Sequence, residues 1–598
     1  PDAAGDGQAG DGGGDHEGLS VLSLGDTDQG DPLRPLHLGT AGALAWKGRT
    51  MSRDGLTRRA FLGTTLAAGA VAAADVSAPA AAASLRSAPA RRQEPAFELE
   101  ELTVAQLQEG MASGRWTARS LAEQYLGRMR AMDHQGPSLH VLIEENPDAL
   151  TAADQLDQER HTRGARGPLH GIPVLIKDNI ATADRMHTSA GSLALAESIA
   201  PRDSFVAERL RAAGAVILGK ANLSEWANFR GRRSISGWSG RGGQCRNPYV
   251  LDRSPSGSSS GSAAAAAANL CAIAVGTETD GSITSPGSAC GIVGIKPTVG
   301  LVSRAGIIPI SHTQDTAGPL TRTVADAAAL LGALAGEDPR DPATRGSSAR
   351  GADYTRFLDP DGLRGLRLGV ARKRYTGVHR AVDRLFETVL GQLKEQGAVL
   401  VDPVDLTTED RLGEAENTVL TYEFKADLNA YLAALGPSAP VRTLADVIAF
   451  NEHAGDRELL LFGQETMVRA QAKGPLTSPE YLRALARCRR SARAEGIDLV
   501  VGRHRLDAIV CPTSTPPRPI DVVDGDGGGA DCTTPAAVAG YPHVTVPMGY
   551  VFGVPVGLSF FGRAWSEPVL IKAAYAYEQA SKVRRPPRFA PTVVVVSG

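Results

Sequence analysis

SPSGSSSGSAAAAAANLCAIAVGTETDGSITSPGSACGI, Ser254 to Ile292, is the stretch on which the reading of this chain turns. It opens with a Gly/Ser-rich loop, Ser254 to Gly261. A small-residue run from Ser262 to Leu270 follows, with six alanines, Ala263 to Ala268, that favour a closely packed helix. Next come a short apolar strand, Cys271 to Val275, and a second polar loop, Gly276 to Ser282. A helix and the strand after it run back past each other, so the two polar loops meet at one strand end. Two loops rich in Ser and Gly, meeting there, are a plausible catalytic cleft. A flexible linker is the alternative for the Gly/Ser loop alone, but the buried-strand pattern that follows at once argues against it.

Outward from this stretch, the pattern is α/β. Gly167-Pro-Leu-His-Gly-Ile-Pro-Val-Leu-Ile-Lys177 begins with turn residues and runs into an apolar strand ending on Lys177. A helix over Ser204 to Ala213, a strand over Ala215 to Leu218, and the segment Gly219-Lys220-Ala-Asn-Leu-Ser-Glu-Trp226 continue the alternation. Helical spacing covers Thr103 to Met132, Asn146 to Thr162, Val324 to Leu334 and Val382 to Gln396. It also dominates Thr407 to Glu495, which reads as a helical insertion over the sheet. Leu366 to Ala371, Leu506 to Pro512, His543 to Pro547 and Val556 to Phe561 read as strands, and Glu567 to Lys582 as a closing helix.

Composition bounds the function. The chain has 598 residues, and its 63 basic side chains are balanced by 66 acidic ones, so charge gives no reason to expect a nucleic-acid partner. The six cysteines form no CxxC pair or ligand cluster, so no metal is expected; Cys271 and Cys290 read as small core residues. No stretch is long and apolar enough for a stable membrane anchor.

Residues 1–50 are Gly/Asp-rich without apolar periodicity, and read as disordered or as upstream sequence outside the natural product, with Met51 the better start. Thr57-Arg58-Arg59-Ala60-Phe61-Leu62, an Ala/Gly run and small residues follow, so residues 51–83 read as a twin-arginine signal peptide, cut near Ser84. A secreted or periplasmic protein is the expectation. Such a chain leaves the cell folded, so it should need no cytoplasmic partner protein.

Lys177, Ser258 and Ser282 stand out chemically. A serine hydroxyl needs a base to become a nucleophile, and three arrangements compete. Gly257-Ser-Ser259-Ser-Gly261 formally matches G-x-S-x-G with His543 downstream, but an elbow follows a strand directly, and Asn247 to Pro255 is broken by two prolines. A phosphate-binding loop lacks the Lys and Ser/Thr of GxxxxGK[ST]. The third is a Ser–Ser–Lys system. Read alone, Ser258 and Ser282 could be helix N-caps and Lys177 a solvated strand-end lysine. Lys220 is a rival base without the His-Gly-Ile-Pro lead-in. Asp315 reads as a structural hydrogen-bonder near the site, and His170, His187 and His312 as structural.

Gly257-Ser258-Ser259-Ser260-Gly261-Ser262-Ala263 with Gly276-Thr-Glu-Thr-Asp-Gly-Ser282-Ile resembles the signature of the amidase signature family. Gly171-Ile-Pro-Val-Leu-Ile-Lys177-Asp-Asn, Gly294-Ile-Lys-Pro-Thr and Val556-Gly-Leu-Ser-Phe-Phe-Gly562 agree with it, and the resemblance spans residues 97–589. Ser260 and Asp280 depart from it, standing where many members have Gly. Glu278-Thr-Asp-Gly-Ser, with Asn222-Leu-Ser-Glu-Trp-Ala-Asn-Phe-Arg230, is similar to the peptide-amidase-like branch, and less like the glutamyl-tRNA amidotransferase branch. The resemblance implies a single large α/β domain with a mixed, twisted sheet surrounded by helices, and a cofactor-free amide hydrolase acting as monomer or homodimer. Ammonia would leave primary amides, with C-terminally amidated peptides the leading substrates. Ser282 is then the nucleophile, Ser258 the bridging serine after a cis peptide bond, and Lys177 the base. The backbone N–H groups of Thr279, Asp280, Gly281 and Ser282 form the oxyanion hole. The alternatives are an amidase for other aliphatic or aryl amides, the glutamine-cleaving component of a glutamyl-tRNA amidotransferase, and a catalytically dead binding protein. The pocket wall is expected from the helical region near Tyr422 to Tyr431 and the segment after Trp226; no individual substrate-binding residue is assigned.

Overall fold

The structure, a computed structural model, describes residues 97–347 and 353–593. The twin-arginine segment and residues 1–50 lie outside them. Among the described residues, thirteen strands are β1 (Leu142–Glu145), β2 (Pro173–Lys177), β3 (Val216–Ala221), β4 (Trp238–Ser239), β5 (Gly243–Gln244), β6 (Ile273–Glu278), β7 (Val293–Lys296), β8 (Thr316–Thr321), β9 (Arg367–Ala371), β10 (Val399–Val404), β11 (Ala508–Pro512), β12 (His543–Val551) and β13 (Val554–Phe561). All but the small β4–β5 hairpin form an 11-stranded sheet in the order β1-β3-β2-β6-β8-β7-β12-β13-β11-β9-β10. The ladder is mixed: β3, β2 and β6 are parallel neighbours, as are β11, β9 and β10, while the strands between β6 and β11 pair antiparallel. The expected large α/β domain with helices around a mixed sheet is the fold observed.

Parallel pairing of β2 and β6 carries the functional consequence. Their C-terminal ends lie at the same edge, so Lys177, last in β2, faces the last residues of β6. Pro173 opens β2, the position where a strand tolerates a residue without an N–H. The helix after the Gly/Ser loop runs over Ser260–Ala267, two residues earlier than the Ala pattern alone indicates, and its alanines are all fully buried. Side chains this small let the helix lie directly beneath the sheet. Gly261 tightens the approach further: a Cβ there would stand 2.3 Å from the Val141 carbonyl oxygen and 2.5 Å from that of Asn222. Gly261→Ala should therefore destabilise the fold by about 1–3 kcal/mol, the range for overpacking, read as a lower urea midpoint; an unchanged midpoint would contradict this packing.

The strand after the Ala run lies later than its apolar residues indicate. It starts at Ile273, and Thr277 and Glu278, assigned to the second loop, are its last residues, laddered with Ala317 and Thr316 of β8. Cross-strand pairing overrides the weak strand propensity of Gly-Thr-Glu. Thr103 to Met132 is two helices, Val104–Ala112 and Ala118–Met132, broken where the Trp116 ring folds onto Gly110. The sequence pattern does not announce β1 and β10; both are short edge strands with few fully buried residues.

The insertion is helical as expected, with Gly413–Ala434, Leu444–Ala454, Glu465–Gln471 and Pro479–Arg489 its main helices. Phe424, Leu428, Leu432, Val447 and Met467 share an apolar cluster with Leu223, Trp226, Ile308 and Ile310 of the sheet body, so the insertion is packed onto the loops around the strand ends.

Candidate active site

At the shared end of β2 and β6, Lys177 is fully buried and its Nζ lies 2.8 Å from Ser258 Oγ, 2.9 Å from Thr277 Oγ1 and 3.2 Å from the Thr277 carbonyl oxygen. Burial pulls its pKa down to about 7, against the opposing pull of Asp315 and Glu278. Near neutral pH a large fraction of Lys177 is therefore an uncharged amine able to accept a proton. The solvated-lysine alternative does not fit a side chain with no exposure.

Ser258 follows a cis Gly257–Ser258 peptide bond, as the family resemblance implies. Its carbonyl accepts the Ser224 N–H at 3.1 Å, tying it to the segment after β3. The next residue does different work: Ser259 Oγ donates to the Thr277 carbonyl at 3.0 Å and accepts the Thr277 N–H at 3.2 Å. Its own N–H donates to the Ser282 carbonyl at 3.2 Å. Ser259 thus stitches the two Ser-bearing loops together. The G-x-S-x-G alternative fails here. His543 sits on β12, with its Nε2 2.6 Å from Ser559 Oγ, and burial holds its pKa down at about 3.

Ser282 keeps a sliver of exposure, 8%, where Ser258 has none. It follows Gly281, whose φ of +76° is the left-handed conformation that favours glycine. Glu278 holds the far side of this turn: its Oε2 accepts the N–H groups of Ile283 at 2.7 Å and Thr284 at 2.9 Å, capping the helix Thr284–Ala289. The N–H groups of Asp280, Gly281 and Ser282 have no acceptor among the described residues. They are donors available to a ligand, the requirement for an oxyanion site. Neither serine makes the side-chain cap that the helix-cap alternative needs: the N-cap residues are Ser259 and Ile283, and neither caps its helix with its own side chain.

Thr279, which precedes the turn, is gripped from the loop after β7. Its Oγ1 donates to Asp315 Oδ1 at 2.5 Å, and its carbonyl accepts from Gln314 Nε2 at 3.2 Å. Asp315 also accepts the Ile310 and Ser311 N–H groups at 2.8 and 2.9 Å; burial lifts its pKa to about 6. It is the structural hydrogen-bonder anticipated. The Asp280 carboxyl accepts from Thr534 Oγ1 at 2.7 Å and is pushed to about 6 by burial and by Asp531. Lys220, the rival base, is turned away, donating to the Ile180 carbonyl at 2.6 Å and to Thr188 Oγ1 at 2.8 Å. His170 binds the Leu156 carbonyl, His187 binds Glu144, and His312 binds Asp427.

The two segments expected to wall the pocket lie in different surroundings. Ala227, just after Trp226, lines a small cavity with Asn179, Thr277, Thr279 and Asp315. Tyr422 does not; its hydroxyl donates to Glu480 at 2.7 Å within the insertion. Sequence reasoning missed Thr277, Gln314 and Glu416, because no local pattern links them to Lys177 or Thr279.

A family model described as Amidase matches residues 120–571. The chain belongs to the amidase family. This amidase is 54% identical to a peptide amidase solved with the competitive inhibitor chymostatin, with a TM-score of 0.80 over 82% of this chain and 99% of that one. The native peptide amidase of Stenotrophomonas maltophilia matches at 53% identity and TM-score 0.79, over the same shares of the two chains, 82% and 99%. A protein of Arabidopsis thaliana named a probable amidase is 43% identical over 85% of this chain and 95% of its own length. A component of the glutamyl-tRNA(Gln) amidotransferase of Chloroflexus aurantiacus is 36% identical over 81% of this chain and 98% of its own. The amidase therefore sits nearest, among these, to the peptide-amidase branch, and its activity is on amides.

Proposed function

We propose that this amidase is an exported hydrolase that releases ammonia from primary amides, C-terminal peptide amides foremost, with Ser282 as nucleophile, Ser258 as relay and Lys177 as base. The observation that carries the reading is the 2.8 Å approach of the buried Lys177, whose pKa burial pulls down to about 7, to Ser258. Likeness to the peptide amidase supports the substrate class. Neutral Lys177 takes the Ser258 proton as Ser258 takes that of Ser282, and Ser282 Oγ bonds to the amide carbon. The N–H groups of Thr279, Asp280, Gly281 and Ser282 receive the negative oxygen. Collapse breaks the C–N bond, Ser258 returns the proton to the departing amine, and water cleaves the acyl-enzyme by the same relay. Every step uses side chains, backbone and water.

Export rests on Thr57-Arg58-Arg59-Ala60-Phe61-Leu62 and the run after it. Cell fractionation with Arg58→Lys/Arg59→Lys alongside tests it; an undisturbed distribution would overturn it. The second reading, the glutamine-cleaving component of an amidotransferase, is favoured by the full-length match to such a relative. Ammonia release by the purified chain cut near Ser84 separates the two. Fast release from a dipeptide amide, exceeding that from a simple aliphatic amide and from glutamine, is expected. Glutamine-specific release requiring two further proteins would reverse the assignment.

A further inference from the structure

We propose that Glu423 and His312 are positioning residues for the nucleophile turn, through which the helical insertion sets the geometry of the oxyanion site. This rests on the reading of Ser282 and its turn given above.

Three acids of the helix Gly413–Ala434, namely Glu416, Glu423 and Asp427, fall on one face by the 3.6-residue repeat. That face grips residues 311–314 one after another. Glu423 Oε2 accepts the Ser311 hydroxyl, and the Thr313 N–H and hydroxyl at 3.2 and 2.9 Å. Its Oε1 accepts the Tyr481 hydroxyl at 2.7 Å and faces His312 Nε2 at 3.5 Å. Asp427 accepts the His312 N–H at 2.9 Å and lies 2.8 Å from its Nδ1. Glu416 accepts from Gln314 Nε2 at 2.9 Å, and the same amide reaches the Thr279 carbonyl. Asp315 completes the chain by holding the Thr279 hydroxyl.

Glu423 has no exposure, and a carboxylate taken out of water is retained only where donors and charge offset its desolvation. Here four hydroxyl and amide donors and one imidazole do so. Both His312 ring nitrogens face carboxylates, Nδ1 in hydrogen-bond contact with Asp427 and Nε2 3.5 Å from Glu423, and the Asp427 hydrogen bond raises its pKa with help from Glu423. Arg304, paired with Asp341, reaches the His312 carbonyl and is the opposing positive charge. Thr279 is thus held by side chain and carbonyl through two links to an acidic helix face. The donors beside it must sit where the oxygen becomes negative, and small misplacements there cost rate more than ground-state binding.

Glu423→Gln and His312→Gln, with Glu414→Gln on the exposed part of the same helix as control, test this. The readouts are kcat and KM for a dipeptide amide, inhibition by a dipeptide aldehyde whose serine adduct carries the oxyanion, and Tm. For Glu423→Gln we expect kcat to fall about 10- to 100-fold, KM to stay within about threefold, and aldehyde affinity to fall with kcat; Glu414→Gln behaves as the unmodified chain. If Glu423→Gln does not fold, His312→Gln, on a half-exposed side chain, carries the test with the same signature. Unchanged kcat, or a raised KM with aldehyde affinity retained, would overturn the proposal and leave the insertion as a substrate wall only. No ammonia release by the unmodified chain would overturn the Ser282 reading as well.

Discussion

Ser282→Ala should fold normally and lose ammonia release from every amide the unmodified chain cleaves, by at least about 10⁴-fold. Removing the nucleophile of a serine hydrolase leaves only the oxyanion donors and substrate binding to act on water. The structure gives the substitution little else to disturb. The bond from the Ser259 N–H to the Ser282 carbonyl, and those from the Ile283 and Thr284 N–H groups to the Glu278 carboxylate, do not involve the Ser282 hydroxyl. Activity loss with an unchanged Tm is the expected combination. Retained hydrolysis would remove Ser282 from the chemistry.

Lys177→Arg is the second large effect, because it keeps the positive charge and removes the base. A guanidinium stays protonated at any working pH, so it cannot take the Ser258 proton. Loss of a general base costs about 10² to 10⁴-fold. Lys177→Met should be as inactive. It should melt no lower than the unmodified chain, since burial makes the Lys177 ammonium unfavourable in the fold. The pH profile follows with a definite sign. The active form is the neutral amine, whose pKa is lowered from the usual lysine value to about 7, so kcat/KM rises as pH increases through about 7 and levels off above it. A profile that falls across that range would contradict a lysine base.

Legibility in the sequence differs from residue to residue. Lys177 was legible because Gly171-Ile-Pro fixes a turn and a strand start, which makes the following apolar run end on the lysine. The Ala run was legible because six consecutive alanines favour a closely packed helix. The end of β6 was not legible: what makes Thr277 and Glu278 a strand is β8, whose residues lie some way downstream. That error hid Thr277, the second partner of Lys177. The formal match of Ser259 with His543 shows the opposite failure, a pattern without geometry. β12 is three strands from β6 in the sheet, about 14 Å at ordinary strand spacing, too far for a hydrogen bond. The grip of Glu416, Glu423 and Asp427 on residues 311–314 joins positions about a hundred residues apart, and nothing in either segment's local pattern announces it.

Covalent labelling by a fluorophosphonate, located by peptide mass mapping, addresses the relay from Lys177 through Ser258 to Ser282 most directly. The adduct is expected on Ser282 alone, at one per chain, forming faster as pH rises through about 7 and very slowly in Lys177→Arg. An adduct on Ser258 or Ser259, or labelling of Ser282 at an undiminished rate in Lys177→Arg, would contradict it.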